Sequence, residues 1–328
     1  MRRTQVLKLL ASLIVLSAGS APTVFAQNAW PNKPIRVVVP YPAGGGTDYL
    51  ARMLGERLSK ALGQPIVVDN KSGAAGAIGV AEVAKAAPDG HTLLMTINDP
   101  LVNNVALFKS LPYDPQKDLV FVAQIVRSPA LISANTALGV KNIDDVRKLA
   151  QSGQKLSYAS WGVGGLGHLG GESLNREMGG GMVHVPQRGE GPVVQDLLTN
   201  TVSIGLSSVG TAKQHVAAGK VVPLAVMNPQ RVAALPQVPT LRELGFNDPI
   251  YQSSVWMAVL APARTPTPVI ERLWSEIRAI AGSVEVRNLL IDRGFEMYVN
   301  GPEQATQNYR AEFDIITKRI RHLGIEPQ

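Results

Sequence analysis

Short runs of β-branched and aliphatic residues alternate, along most of the chain, with stretches whose apolar positions recur every three or four residues. The first spacing belongs to strands and the second to helices, so the pattern predicts an α/β fold with largely parallel sheets. Ile35–Val39 reads as a strand. The helix predicted over 47–62 places Leu50, Met53, Leu54, Leu58 and Leu62 on one face. A strand at 66–69, a polar glycine-rich segment at 70–76 and a small-residue helix ending at Ala86 follow. Pro88-Asp89-Gly90 turns the chain into a strand at 92–96, and a proline-bounded loop at 111–115 precedes a strand at 119–126.

The alternation then restarts, with a helix at 142–151, a strand at 155–160, a glycine-rich loop, a helix at 167–178 and a strand at 182–185. Segments 191–199, 202–206, 211–218 and 223–227 continue it. A proline-rich stretch at 235–239 leads to a strand at 254–260, and helices at 266–280, 284–291 and Pro302–His322 close the chain. There is no tandem repeat. The pattern predicts two similar α/β lobes, with the last quarter of the chain returning to the first.

The first 26 residues stand apart from this pattern. Arg2, Arg3 and Lys8 form a basic start, about ten apolar residues run from Leu9 to Ala18, and Val24-Phe25-Ala26 supplies small residues at a cleavage site. The run is shorter than the ~20 residues a membrane span requires. A cleaved signal peptide over 1–26 and a periplasmic protein are therefore expected, not embedded in the membrane. The chain has no cysteine, which excludes disulfides and a lipidated cysteine anchor. Loss of Arg2, Arg3 and Lys8 lowers the formal charge from +7 to +4. Removing 26 of 328 residues leaves 302, enough for two domains. No basic cluster with interleaved aromatics points to nucleic acid.

The chemistry concentrates in loops that follow strands. Val37-Val38-Val39-Pro40-Tyr41-Pro42-Ala43-Gly44-Gly45-Gly46-Thr47-Asp48 reads as a strand, a proline-braced bend, three glycines and a helix start. Such a loop turns backbone N–H groups toward one point with a helix dipole behind them, and its expected guest is an anion, most simply a carboxylate. Gly45 is expected to need a positive φ that a bulky residue would resist. Loops 70–76 and 161–167 also follow strands, and in a parallel sheet such loops gather at one crevice. Two would lie in one lobe and the third in the other, clamping an anion between helix N-termini. Tight turns and close packing are the alternative use of these glycines.

Other signatures are weaker. Gly162-Val163-Gly164-Gly165-Leu166-Gly167 formally fits a dinucleotide loop, with Glu190 as its distant acid, although Glu190 lies past Pro186 rather than at a strand tip. An exported nicotinamide-dependent oxidoreductase is that alternative. The five histidines show no metal-ligand spacing, and neither a serine-hydrolase elbow nor a phosphate-binding P-loop is present, so neither an enzyme nor a cofactor is expected. His168 touches ligand or else caps and packs. Arg188 pairs with a carboxylate or else is a solvated loop residue. Trp161 stacks on a ligand ring or walls the cleft.

Trp30-Pro31-Asn32-Lys33-Pro34-Ile35-Arg36 leading into the glycine loop resembles the mature start of the Bug family, the extracytoplasmic solute receptors of tripartite tricarboxylate transporters. Leu62-Gly63-Gln64-Pro65, Ala86-Ala87-Pro88-Asp89-Gly90-His91-Thr92-Leu93, Leu111-Pro112-Tyr113-Asp114-Pro115, Leu156-Ser157-Tyr158-Ala159-Ser160, Val183-His184-Val185-Pro186 and Leu235-Pro236-Gln237-Val238-Pro239-Thr240 continue the likeness in order. The resemblance implies a type II periplasmic binding protein fold: two lobes joined by crossing strands, closing over one carboxylate-bearing ligand. It implies lobe one at 27–126 and 251–328, lobe two at 127–250, a membrane permease as partner, and no cofactor. A monomer is expected.

The positions it places at the cleft are Tyr41, Ala43, Gly44, Gly45, Gly46, Thr47, Asp48, Ser72, Ala74, Thr96, Asn98, Ser160, Trp161, Gly164, Gly165, His168, Arg188 and Ser207. The chain departs from the family at Gln187-Arg188, where a tyrosine-lysine pair is usual, and at Ser207, where an aspartate is frequent. Loss of that acid disfavours a ligand ammonium. Trp161 and Leu166 make the second lobe more apolar, which suits an aromatic or hydrocarbon-bodied carboxylate. A receptor presenting the carboxylate to a sensor kinase is an alternative with the same site.

Overall fold

The computed structural model describes residues 30–324, so the export signal read in residues 1–26 lies outside the described residues. Strands β1 (Ile35–Val39), β2 (Ile66–Asn70), β3 (Thr92–Ile97), β4 (Leu119–Ser128), β10 (Val255–Pro262) and β11 (Glu296–Asn300) form one six-stranded sheet, in the order β11-β4-β10-β3-β1-β2. Strands β5 (Ala130–Asn135), β6 (Leu156–Ser160), β7 (Met182–Pro186), β8 (Ile204–Ser208) and β9 (Val221–Met227) form a five-stranded sheet, in the order β7-β6-β8-β5-β9. Each sheet with its helices makes one lobe.

The sheets are less parallel than the sequence predicts. β1 pairs in parallel with β2 and β3, and β6 with β7 and β8, but β10, β11 and β5 run antiparallel to their neighbours. The reason is the crossover. β4 ends at Ser128 and β5 starts at Ala130, so a single residue, Pro129, carries the chain from one sheet into the other. The return runs through 228–254 into β10, which lies between β4 and β3. A strand that crosses lobes has no covering helix to reverse it, and pairs antiparallel.

Side-chain period sets the layers. In β1, Ile35, Val37 and Val39 pack into one core while Val38 packs into another, so both faces of the sheet are covered. Helix α1 (Gly46–Leu62) lays Leu50, Met53, Leu54 and Leu58 on the first of these faces. Each such side chain contributes about 1.5–3 kcal/mol when fully buried. Gly63 closes the helix in the left-handed region at φ 69°, its N–H returning to the Ser59 carbonyl.

The sequence misses β5, helix α3 (Asn103–Leu107) and β11. β5 is a fully buried six-residue run directly behind β4, parted from it only by Pro129. α3 has only five residues, too few to show a period. The remaining helices are α2 (Ala77–Ala84), α4 (Ile143–Gln151), α5 (Leu166–Glu177), α6 (Glu190–Leu198), α7 (Val209–Ala217), α8 (Thr267–Gly282), α9 (Val284–Asp292) and α10 (Pro302–His322). Among the described residues no helix is long and apolar enough to cross a membrane.

Candidate functional site

The β1–α1 loop of the first lobe and the β6–α5 loop of the second face each other across a cavity of about 700 Å³. The two loops are built alike. Gly44 and Gly164 hold positive φ (88° and 73°), Gly45 and Gly165 are extended N-caps without a side-chain cap, and a helix follows each. α4, α7 and α9 are instead capped by Asn142, Ser208 and Ser283 side chains. First-turn N–H groups without an intrahelical partner are left at both ends of the cleft, each with the positive end of a helix dipole behind it.

One amide of each loop is already committed. The Gly44 N–H donates to Asp48 Oδ2 (2.9 Å), and the Gly164 N–H donates to His168 Nδ1 (2.9 Å). Asp48 also accepts from Asn70 Nδ2 (3.1 Å) and pairs with Arg52. Burial pushes its carboxyl up, but the bonds from Arg52, Gly44 and Asn70 outweigh burial and hold it below the usual carboxylate range. His168 is pushed down by desolvation and stays neutral, as an acceptor must, and its ring stacks on His184 at 3.9 Å. These two side chains shape the loops from behind and do not line the cavity.

Of the positions expected at the cleft, Tyr41, Gly44, Gly45, Gly46, Thr47, Trp161, Gly165 and Arg188 line the cavity. The structure places the others elsewhere. Ala43 is exposed and is not part of the wall, and at 70–76 it is Ala75 rather than Ser72 or Ala74 that reaches it. Thr96 is buried beneath the Tyr41 hydroxyl (3.5 Å), and Asn98 donates to Glu312 Oε1 (2.7 Å). Ser160 Oγ bonds His184 Nε2 (2.8 Å) and the Gly162 carbonyl (3.2 Å). Ser207 is fully buried within β8, paired with Leu131. Gly164 meets Asn103 of the other lobe through its carbonyl, and a Cβ there would lie 2.1 Å from Leu107.

Two further expectations are corrected. Gly45 has φ −77°, so the left-handed position is Gly44, and a Cβ on Gly45 would meet nothing closer than 3.9 Å. Leu166 is fully buried in the hydrophobic core and does not line the cavity. Leu107, Val163, Val255, Met257 and Phe295 make the wall apolar instead, and periodicity alone could not show it, because they come from four separate segments. The dinucleotide reading of 162–167 also loses its acid. Glu190 accepts from the Ser208 N–H (3.1 Å), Ser208 Oγ (2.6 Å) and Thr211 Oγ1 (2.6 Å), and the Trp161 indole lies on Gly167, where a pyrophosphate would approach.

Sequence reasoning passes over two acids. Asp99 lines the cavity, and burial pushes its carboxyl up to about 7, partly offset by the Trp161 indole N–H. Glu312, on α10, is pushed up to about 7 by burial against the bonds from Trp256 Nε1 and Asn98. A carboxyl raised in the native state binds its proton more tightly than the unfolded chain does. Its stabilisation is full below the unfolded value and fades as pH rises through about 7. Melting of the wild type is therefore expected to weaken from pH 5 to 8, and Glu312→Gln to remove roughly 2–3 kcal/mol of that decline. An unchanged pH profile in the variant would contradict it.

Two mixed α/β sheets joined by crossing strands, with the cavity between them, define a periplasmic binding protein. Residues 50–324 match the tripartite tricarboxylate transporter family receptor, and the chain belongs to that family, the Bug receptors. It is 33% identical to BugT of Bordetella pertussis, over 93% of each chain. A Rhodopseudomonas palustris protein solved with adipate superposes with a TM-score of 0.83 at 32% identity, covering 91% of this chain and 100% of that one. MatC of Rhodopseudomonas palustris, solved with bound malate, gives 0.72 at 30% identity, covering 90% and 98%. The family is one of solute-binding proteins serving transport.

Proposed function

We propose that this receptor captures a small organic carboxylate with an apolar body between its lobes and delivers it to the membrane components of a tripartite transporter, after export through a cleaved signal at 1–26. The observation that carries the reading is the pair of uncapped helix N-termini, at Gly45 and Gly165, facing one cavity. Backbone N–H groups there offer donors without a competing side chain, which suits an oxyanion. Similar proteins hold adipate and malate, both carboxylates. The apolar body follows from Trp161, Leu107, Val255, Met257 and Phe295 on the wall. The lobe limits proposed are 27–126 with 251–328, and 127–250.

A thermal-shift screen of the mature protein against mono-, di- and tricarboxylates, aliphatic and aromatic, tests this. A true ligand at 100 times its dissociation constant adds ~2.7 kcal/mol of stability, and its carboxamide analogue should add nothing. If amides stabilise as well as acids, the oxyanion reading fails.

A further inference from the structure

The loop at 161–165 hangs on two histidines that lie behind it. His168 Nδ1 accepts the Gly164 N–H at 2.9 Å. His184, on β7, meets Ser160 Oγ through Nε2 at 2.8 Å, and the same hydroxyl bonds the Gly162 carbonyl at 3.2 Å. The loop is therefore held both at Gly162 and at Gly164. Gly162, Val163 and Gly165 line the cavity, whereas neither histidine does. The two rings stack on each other at 3.9 Å and 7°, and Tyr158 of β6 stacks on His184 at 4.8 Å.

The protons of this pair follow from the bonds. A ring nitrogen that accepts carries no hydrogen, so neutral His168 keeps its hydrogen on Nε2. A further proton has only Nδ1 to enter. There it would face the Gly164 N–H as donor against donor, and the loop would lose its anchor. A proton on His184 sets a cation against the His168 ring, and charging both sets two cations face to face.

The charged group facing the pair is Glu172, one turn along α5 from His168, and it is already shared. It accepts from the Tyr158 hydroxyl (3.1 Å) and pairs with Arg176 (3.3 Å). Burial pushes both rings below the ordinary histidine range, His184 to about 4 with His168 adding to the effect, and Glu172 offsets only part of this at His168. Asp48 holds the equivalent place in the first lobe, but its carboxyl keeps its charge below the usual carboxylate range. Acid therefore reaches the second-lobe loop first.

We propose that His168 and His184 are positioning residues for the second-lobe loop: while both rings are neutral they hold 161–165 in the shape that receives the solute, and a proton on the pair releases it. This rests on the reading of the cavity as the solute site. The held loop favours the neutral rings, so its support is full above the ordinary histidine value of about 6.5 and is lost as pH falls through the lower native value. Solute is then held more weakly in acid.

Nuclear magnetic resonance of the mature, ligand-free protein tests the anchor. The Gly164 amide should titrate with the same midpoint as the His168 ring, below about 6.5. It should stop doing so in His168→Asn, whose side-chain oxygen offers an acceptor in place of Nδ1 that takes no proton. Calorimetry with adipate, malate and phenylacetate at pH 7.5 and pH 5 reads the consequence. For an acid that binds, wild-type affinity should fall between the two by ~3-fold or more beyond the fall in His168→Asn, a comparison from which the acid's own titration cancels. His168→Ala, with no acceptor, should bind more weakly than His168→Asn at pH 7.5. Ligand-free melting of each variant confirms that it folds. A Gly164 amide that stays still while His168 titrates overturns the anchor, and equal pH dependence in wild type and His168→Asn overturns its part in binding. If none of the three acids binds at pH 7.5, that counts against the carboxylate reading, while the resonance titration still decides the anchor.

Discussion

Replacing Gly210 with alanine is expected to hold the cleft open and weaken binding by roughly 100-fold while leaving the lobes as stable as before. Gly210 is the second residue of α7, and it lies directly against the Arg293–Gly294 backbone of the other lobe. A Cβ at Gly210 would stand 2.4 Å from the Arg293 carbonyl oxygen. Both partners are backbone, so no side-chain rotation relieves the overlap. Only separation of the lobes does. Within α7 the same change is harmless, because alanine is the better helix former by up to about 1 kcal/mol. The closed form thus becomes a minor state, and apparent affinity falls in proportion to its population. Small-angle scattering should show a larger radius of gyration in the variant, and calorimetry the weaker binding of whichever carboxylate raises the wild-type melting point. Wild-type affinity in Gly210→Ala would show that this contact is not part of closure.

Asp48→Ala is expected to cost about 2–4 kcal/mol of stability and to loosen the glycine loop that faces the ligand. The carboxylate is 4% exposed, and it ties together Gly44, Asn70 and Arg52. Removing it leaves the Gly44 N–H without its acceptor, the Asn70 amide with the Tyr41 carbonyl alone, and Gly44 at φ 88° without its anchor. The pH dependence is opposite in sign to that of Glu312. Because the Asp48 carboxyl is held below its ordinary value, its stabilisation is present above the unfolded pKa of about 3.9 and disappears as pH falls through the lower native value. Denaturant melts of wild type and variant should therefore differ most above pH 5 and converge toward pH 2. Curves that stay equally far apart at low pH would show that the stabilisation does not come from the ionised carboxylate.

The Asp48 and Gly210 contacts are unequally legible in the chain. The Asp48 cap is local: a glycine donates to a side chain four residues on, and Gly164 with His168 repeats the arrangement. That i, i+4 spacing is visible in the sequence, and it explains why Asp48 and His168 shape the loops rather than line the cleft. The Gly210 contact is not local. Nothing around residue 210 announces residue 293, because their approach depends on the angle between two lobes set by the β4–β5 crossover and the return into β10. The Asn103 bond to the Gly164 carbonyl is of the same kind, since it forms only where the two lobes meet.

The sequence by itself determined the elements and the use of their ends. Period-two and period-3.6 patterns placed β1, α1 and most of the helices, and glycine loops after strands marked a crevice suited to an oxyanion. These follow from short-range physics: backbone sterics, side-chain period and helix-end N–H groups act within a few residues. Tertiary structure alone decided which loop amides stay free and which hydrophobic side chains wall the cavity. Those features are sums of contacts between segments far apart in the chain, and no local pattern carries their geometry.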